Sequence, residues 1–368
     1  MDKKNGFTLG RRQFLALSGT AAAVMAMGGA RNVFAASDDE ITILTWETYH
    51  DDAWVAEWTK NTGIKVKVVR AGSSDEIFAQ TQSGAVKADI IYFETGSIPR
   101  YKELGLITPI DASKIPNAKN ITSGLHYQER ATIDGKLFGL PYNWGTQPLM
   151  YDETVFTSPP DSWAVLWDKK YQGKVSLFDD AYITFPMIAL YVGAANPYNL
   201  TDAEFEECIQ ALRALRPQVR TIARGFDDAL QQYAQGEAVV GYCQNINTVY
   251  ALQSKGKKFN YRFPKEGTPT WIDSAVITPQ GQREAVYRFM NDNLSLPWQG
   301  RFISTSFNNG VLTEAGGQEA GVPADILAKT NVIDQSKPGF WEKMSIFQSP
   351  ENIDRRVEIW NDFKAGIL

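Results

Sequence analysis

The sequence predicts an α/β protein built as two layers, each a mainly parallel sheet flanked by helices. Three observations lead there. Short apolar runs of strand length alternate with helical patterns, and continuous apolar strands are the mark of parallel sheets covered on both faces. The alternation restarts after Pro141-Tyr142-Asn143-Trp144-Gly145. The chain has 368 residues, which suits two domains of about 150 residues each.

Glu40 to Trp46 opens the first layer as a short apolar strand. Asp51 to Asn61 reads as a helix, with Trp54, Val55 and Trp58 on one face and Gly63 as its stop. Ile64 to Val69 is the second strand. Ser74 to Gln82 is a short helix with Asp75 and Glu76 in its first turn, where the helix dipole favours acids. Ala88 to Phe93 is the third strand, and Ile98 to Leu104 a further helix.

In the second layer Ser162 to Trp167 is a short helix and Gly173 to Phe178 a strand. Asp202 to Leu215 is a long amphipathic helix carrying Phe205, Ile209, Leu212 and Leu215. A helix at Asp227 to Tyr233 precedes a strand at Ala238 to Cys243. After Trp271, Ser274 to Ile277 is a strand and Glu284 to Leu294 a helix; Asn352 to Phe363 closes the chain as a helix. Two such layers leave a cleft between them, where ligands favour binding.

Ahead of these elements lies an address. Asp2 to Arg12 is polar and basic, and Gly10-Arg11-Arg12-Gln13-Phe14-Leu15 has the paired arginines of a twin-arginine export signal. Leu15 to Ala30 is weakly apolar, and Val33-Phe34-Ala35 supplies small residues for cleavage, so the mature chain is expected to begin at Ala36. A membrane anchor is the competing reading, but the stretch is short and broken by glycines, whereas a span needs ~20 apolar residues.

The whole chain carries 37 basic and 42 acidic residues, a net charge of −5; without residues 1–35 it carries 32 and 41, a net of −9. An acidic protein is a poor nucleic-acid binder and a suitable host for a cationic ligand. Two Cys and two His give little material for a zinc cluster or a His-based catalytic machine, and no cofactor is expected. An oxidising compartment permits a Cys208–Cys243 disulfide, with two separate buried thiols as the alternative. His50 and His126 read as surface or loop residues. A monomer is the default for so acidic a soluble chain.

No phosphate-binding loop, zinc-protease motif or nucleophile elbow is present. Asp179-Asp180 reads either as an acid/base pair or as one helix cap beside one surface acid. Aromatic residues beside carboxylates at segment ends stand out instead: Trp46-Glu47-Thr48-Tyr49, Phe93-Glu94-Thr95-Gly96, Asp179-Asp180-Ala181-Tyr182 and Trp271-Ile272-Asp273. The carboxyl ends of parallel strands are where open α/β sheets bind ligands. A ring face attracts an ammonium by ~0.5–2 kcal/mol, and a carboxylate adds a charge-assisted hydrogen bond of ~1.5–3 kcal/mol. Taken singly, each Trp reads equally well as core and each acid as a cap.

These segments resemble the periplasmic polyamine (spermidine/putrescine)-binding proteins of ABC importers. The likeness rests on Trp46-Glu47-Thr48-Tyr49, Trp58-Thr59-Lys60-Asn61-Thr62-Gly63-Ile64-Lys65-Val66, Pro141-Tyr142-Asn143-Trp144-Gly145, Ser162-Trp163-Ala164-Val165-Leu166-Trp167, Lys170-Tyr171-Gln172-Gly173 and Pro264-Lys265-Glu266-Gly267, in that order and spacing. It implies a two-lobed periplasmic binding protein fold of type II, with lobe 1 at 36–143 plus 272–320 and lobe 2 at 144–271 plus 321–368. It implies closure by hinge bending near Asn143 and Trp271, docking on a membrane permease, and no turnover.

Residue by residue, the resemblance implies that Trp46 and Tyr49 box an alkyl amine, and that Trp271 stacks while Asp273 grips an ammonium. Asp180 is a further cleft acid and Gln348 a C-terminal amide contact. The chain departs from the pattern at Ile183, where the family has an acid, at Gln244, where it has a Trp, and at Glu94-Thr95-Gly96, where it has Ser-x-Tyr. Glu94 is then a replacement charge from the opposite wall, or part of a cleft rebuilt for another amine. Arg224 decides between ligands: turned inward it would grip the carboxylate of a zwitterion such as γ-aminobutyrate, and turned outward it would pair with Asp227 or Asp228. An amine-acting enzyme using Asp179 and Asp180, and a sensor subunit serving a signalling receptor, are the remaining alternatives.

Overall fold

The computed structural model describes residues 40–350 and 352–368. The export signal and the cleavage point near Ala35 lie outside the described residues. β1 (Glu40–Trp46), β2 (Lys65–Ala71) and β3 (Ile90–Glu94) alternate with α1 (Asp52–Thr62), α2 (Ser74–Ser83) and α3 (Ile98–Glu103). Local chemistry sets these boundaries. Asp51 caps α1 by accepting the N–H groups of Ala53 and Trp54, and Gly63, at φ 79°, ends it with an N–H to the Thr59 carbonyl at 2.8 Å.

A small hairpin of β4 (Thr132–Ile133) and β5 (Lys136–Leu137) leads to β6 (Leu140–Thr146), and β7 (Leu149–Asp152) opens the second lobe. There β8 (Val175–Phe178), β9 (Val219–Ala223), β10 (Val240–Tyr242) and β11 (Phe259–Arg262) alternate with α4 (Ala181–Tyr191), α5 (Asp202–Leu215), α6 (Phe226–Ala234) and α7 (Asn247–Ser254). Then β12 (Thr268–Ile277), α8 (Glu284–Asn293), α9 (Leu296–Ser306) and β13 (Met344–Ile346) return to the first lobe, and α10 (Ile353–Ala365) ends in the second.

The first sheet runs β13-β12-β3-β1-β2, with β6 also paired to β12; the second runs β11-β7-β10-β8-β9. Parallel pairing holds within β2-β1-β3 and β9-β8-β10. Antiparallel pairing completes each sheet: β12 and β7 run back against the parallel strands, and β6, paired to β12, and β11, paired to β7, run with them again.

The chain crosses between lobes at Gln147-Pro148, between β11 and β12, and after β13. The first two crossings touch: the Gln147 N–H donates to the Pro269 carbonyl at 2.9 Å. The lobe boundaries therefore differ from those expected. All of β12 and β13 belong to the first sheet. Val322, Leu327 and Val332 pack with Ile303 and Leu312, while β13 pairs with Thr268–Thr270. Only α10 joins the second core, through Ile359, Trp360 and Phe363. Cys208 and Cys243 are unbonded thiols buried in separate apolar clusters, and burial pushes both up to about 12. Among the described residues no helix is long and apolar enough to cross a membrane.

Candidate functional site

The strand ends of the first sheet bring the first half of the site together. Glu94, the last residue of β3, sits opposite Asp273 of β12 in the antiparallel register. Trp46 ends β1 alongside. The turn after β1 carries Tyr49, whose hydroxyl donates to Asp273. Tyr49 is held in turn: Asn143 of β6 donates to its oxygen at 3.2 Å and to Asn308 Oδ1 at 3.0 Å, while Asn143 Oδ1 accepts the Gly310 N–H at 2.9 Å. Rings of Tyr92, Tyr142 and Phe302 pack around Tyr49. Trp271, two residues before Asp273, lies against Gly145, where a Cβ would collide with its six-membered ring.

The second lobe contributes Asp180. It caps α4, accepting the N–H groups of Tyr182 at 2.7 Å and Ile183 at 3.1 Å. Its neighbour Asp179 is bound by Trp360 Nε1 at 3.0 Å and Lys364 Nζ at 2.7 Å. The two acids thus divide into a cap facing the cleft and an acid anchoring α10, and the acid/base pair is not formed.

Glu94, Asp180 and Asp273 do not belong in a dry site as three anions. Burial pushes Asp273 well above the usual carboxylate range, and the charge of Glu94 pushes it further; hydrogen bonds from Tyr49 and Trp46 oppose the shift. Burial likewise raises Glu94, against the Ser74 hydroxyl that donates to its Oε1 at 2.5 Å, with Asp75 adding to the rise. Asp180 is raised to about 6 by burial, opposed by its two backbone hydrogen bonds and increased by Glu94 and Asp75. Among the described residues none of the three stands in an ion pair, and Glu94 Oε2 has no hydrogen-bond partner. The Trp46 indole N–H, also without a full hydrogen bond inside the protein, faces the same carboxylates. No three such acid, His or Cys side chains among the described residues are placed to hold a metal ion.

Two cavities flank this group. One of about 660 Å³ is lined from both lobes, by Ser74, Glu94 and Arg100 on one side and by Asp180 and Tyr182 on the other. The second, of about 700 Å³, is lined by Thr48, Gln244 and Asn308 among others. A relay of side chains from Glu94 through Asp273, Tyr49 and Asn143 to Asn308 joins one to the other.

Of the residues anticipated from sequence, Trp46, Tyr49, Glu94, Asp180 and Asp273 are thus brought together, Trp271 lies next to them and Gln244 lines the second cavity. Glu47 is exposed and lines neither cavity. Gln348 is exposed and accepts from Asn196 at 3.2 Å, while its neighbours Ser349 and Pro350 form the wall. Arg224 is exposed and lines neither cavity; its backbone N–H donates to Asp228 at 2.9 Å. His126 is an exposed loop residue, but His50 corrects expectation. It is buried, stacked on Tyr142 at 5.1 Å, and lowered to about 3 by burial and then by the Arg70 charge, so it is a neutral core residue behind the site. Ser74 and Asn308 were not legible as site residues, and only their nearness to strand and helix ends hinted at them; Tyr182 belongs to the aromatic–acid segment Asp179-Asp180-Ala181-Tyr182.

Two lobes linked by three crossings, with a charged cleft at strand ends, define a periplasmic-type ligand-binding fold. The solved spermidine/putrescine ABC transporter substrate-binding protein of Streptococcus pneumoniae superposes with a TM-score of 0.73 at 20% identity, over 90% of this chain and 100% of that one. The spermidine/putrescine-binding periplasmic protein 1 of Haemophilus influenzae is 28% identical over 261 residues, covering 70% of this chain and 71% of its own. The spermidine/putrescine-binding periplasmic protein of Escherichia coli is also 28% identical over 261 residues, covering 69% and 73%. Residues 53–291 match the bacterial extracellular solute-binding protein family, and the chain belongs to it. It is a solute-binding protein and not an enzyme, and its partner is a small ligand.

Proposed function

We propose that this protein captures a small amine of the putrescine and spermidine class between its lobes in the periplasm and delivers it to the permease. The observation that carries this reading is the set of three carboxylates, the buried Glu94 and Asp273 and the half-buried Asp180, none of which stands in an ion pair among the described residues although Arg100 lines the same cavity as Glu94 and Asp180. Buried ions without partners are costly, so such a site favours a guest that brings the missing positive charge. Each carboxylate would give an ammonium ~1.5–3 kcal/mol through a charge-assisted hydrogen bond. Indole faces at Trp46 and Trp271 would add ~0.5–2 kcal/mol apiece and pack against methylene groups. The ligands in the relatives' names, spermidine and putrescine, support the same class.

In this reading the chain is exported by the twin-arginine route, cleaved near Ala35, and acts as a monomer that does not bind nucleic acid. Arg224, exposed and outside both cavities, gives the γ-aminobutyrate reading no support. Calorimetric titration of unfolded-and-refolded, ligand-free protein with putrescine, spermidine, agmatine and γ-aminobutyrate tests it. Tight binding of a diamine or polyamine is expected; binding of γ-aminobutyrate alone, or of none of the four, overturns it.

A further inference from the structure

We infer that the cleft is built for a diamine or polyamine acylated at one end, its ammonium held by Glu94, Asp180 and Asp273 and its amide by the 700 Å³ cavity around Gln244, Asn247 and Phe307. This rests on the amine reading and narrows it. The two ends of the cleft differ in charge. The first cavity is lined by five acids, Asp75, Glu94, Asp179, Asp180 and Asp354, against two cations, Arg100 and Lys364, with Asp273 opposite Glu94, whereas among the described residues the charged side chain lining the other cavity is Lys329, which contacts Asp325 at 3.8 Å. A second ammonium placed there would meet a like charge and no carboxylate. Side chains link the two ends: three hydrogen bonds lead from Asp273 through Tyr49 and Asn143 to Asn308, which lines the neutral cavity.

The neutral cavity offers the chemistry that a secondary amide needs. Gln244 Oε1 and Asn247 Oδ1 are buried acceptors without a donor. The orientation of Asn247 is fixed, because its amide nitrogen donates to the Ser306 carbonyl at 3.2 Å. Asn245 Oδ1 accepts the Asn247 N–H at 2.9 Å, which leaves its NH2 group as a donor. An acyl amide supplies the N–H that the first pair lacks and a carbonyl for the second.

Apolar surface for the acyl group comes from Phe226 and Phe307, which line the same cavity. Phe307 ends α9 at φ 55°, a left-handed position that glycine takes without strain and a bulky aromatic does not. Strained residues of this kind gather at ligand sites.

Calorimetric titration of putrescine and N-acetylputrescine into wild type, Phe307→Gly and Gln244→Glu tests the inference. Wild type is expected to bind N-acetylputrescine at least tenfold more tightly than putrescine. Phe307→Gly relieves the backbone, so its Tm should not fall; it should lose at least fivefold for the acetylated ligand and stay within twofold for putrescine. Gln244→Glu should narrow or reverse the preference. Putrescine binding as tightly as its acetylated form in wild type, or Phe307→Gly weakening both ligands equally, overturns the inference and leaves the amine reading standing. If neither ligand, nor spermidine, binds, both fall together.

Discussion

Replacing Asp273 by Asn should weaken amine binding and at the same time leave the empty protein as stable as before, or more so. Asn has nearly the same shape, and its carbonyl oxygen still accepts the Tyr49 hydroxyl, so the relay to Asn143 survives. What disappears is one negative charge facing Glu94 in a buried site. The carboxyl of Asp273 is raised in the fold, so its contribution to stability is present below the ordinary carboxylate range and is lost as pH rises through its folded value. At neutral pH the neutral side chain therefore removes a penalty rather than a contact. The ligand loses a charge-assisted hydrogen bond of ~1.5–3 kcal/mol, which at 1.4 kcal/mol per decade is about ten- to a hundredfold in Kd. Calorimetry with putrescine or spermidine measures the affinity, and thermal melting of ligand-free protein measures the stability. Affinity within threefold of wild type, or a Tm several degrees lower, would refute the reasoning.

Amine affinity should fall about tenfold between pH 7 and pH 5, since Asp180 is raised to about 6 and its ionised fraction drops by about that factor while the amine stays protonated. The melting temperature of the empty protein should fall over the same interval as pH rises, and the ligand-induced increase should grow; a flat affinity profile contradicts this. Gly145→Ala should drive the Trp271 ring off its seat. The expected result is a changed tryptophan emission spectrum and at least a fivefold loss of amine affinity, and unchanged values of both would show that Trp271 does not contact the ligand.

The first sheet was legible because its strands and helices carry their signals locally. Asp51 and Gly63 bound α1 by capping chemistry, and Phe205, Ile209, Leu212 and Leu215 give α5 its buried face as periodicity predicts. β6 was not legible. Pro141 and Gly145 suggest a linker, yet every residue of the strand is buried, so no alternation exists to read. α4 hides for a similar reason: apolar almost all round and carrying Pro186, it shows no face. Within the site, aromatic–acid words pointed to Trp46, Glu94 and Asp180 because the ends of parallel strands lie side by side, whereas Asp273 lies in the middle of β12 and reaches the group through its antiparallel register with Glu94. Glu47, Arg224 and Gln348 stand exposed, a placement sequence does not reveal because loop residues are oriented by tertiary neighbours such as Asp228 and Asn196. The buried state of His50 depends on rings from Tyr92, Tyr142 and Phe289, which are distant in sequence.

Division of the carboxylates between lobes gives the ligand a way to drive closure. Glu94 and Asp273 stand on the first lobe and Asp180 on the second, and the charge of Glu94 already raises Asp180 across the cleft. In the empty protein, negative charge on both lobes opposes their approach and favours the protonated acids; an ammonium between them favours the ionised forms and turns repulsion into attraction, so the ligand's differential interaction with open and closed forms supplies the bias. Asp180→Asn separates the two roles of this residue. Asn is as good a helix cap as Asp, so α4 keeps its first turn, while the repulsion across the cleft is gone. The empty variant should then populate the closed form at neutral pH, with a radius of gyration by small-angle scattering nearer to that of ligand-bound than of empty wild type, even though it binds the amine less tightly. A variant that stays as open as the empty wild type, while still losing affinity, would show that Asp180 holds ligand but does not gate closure.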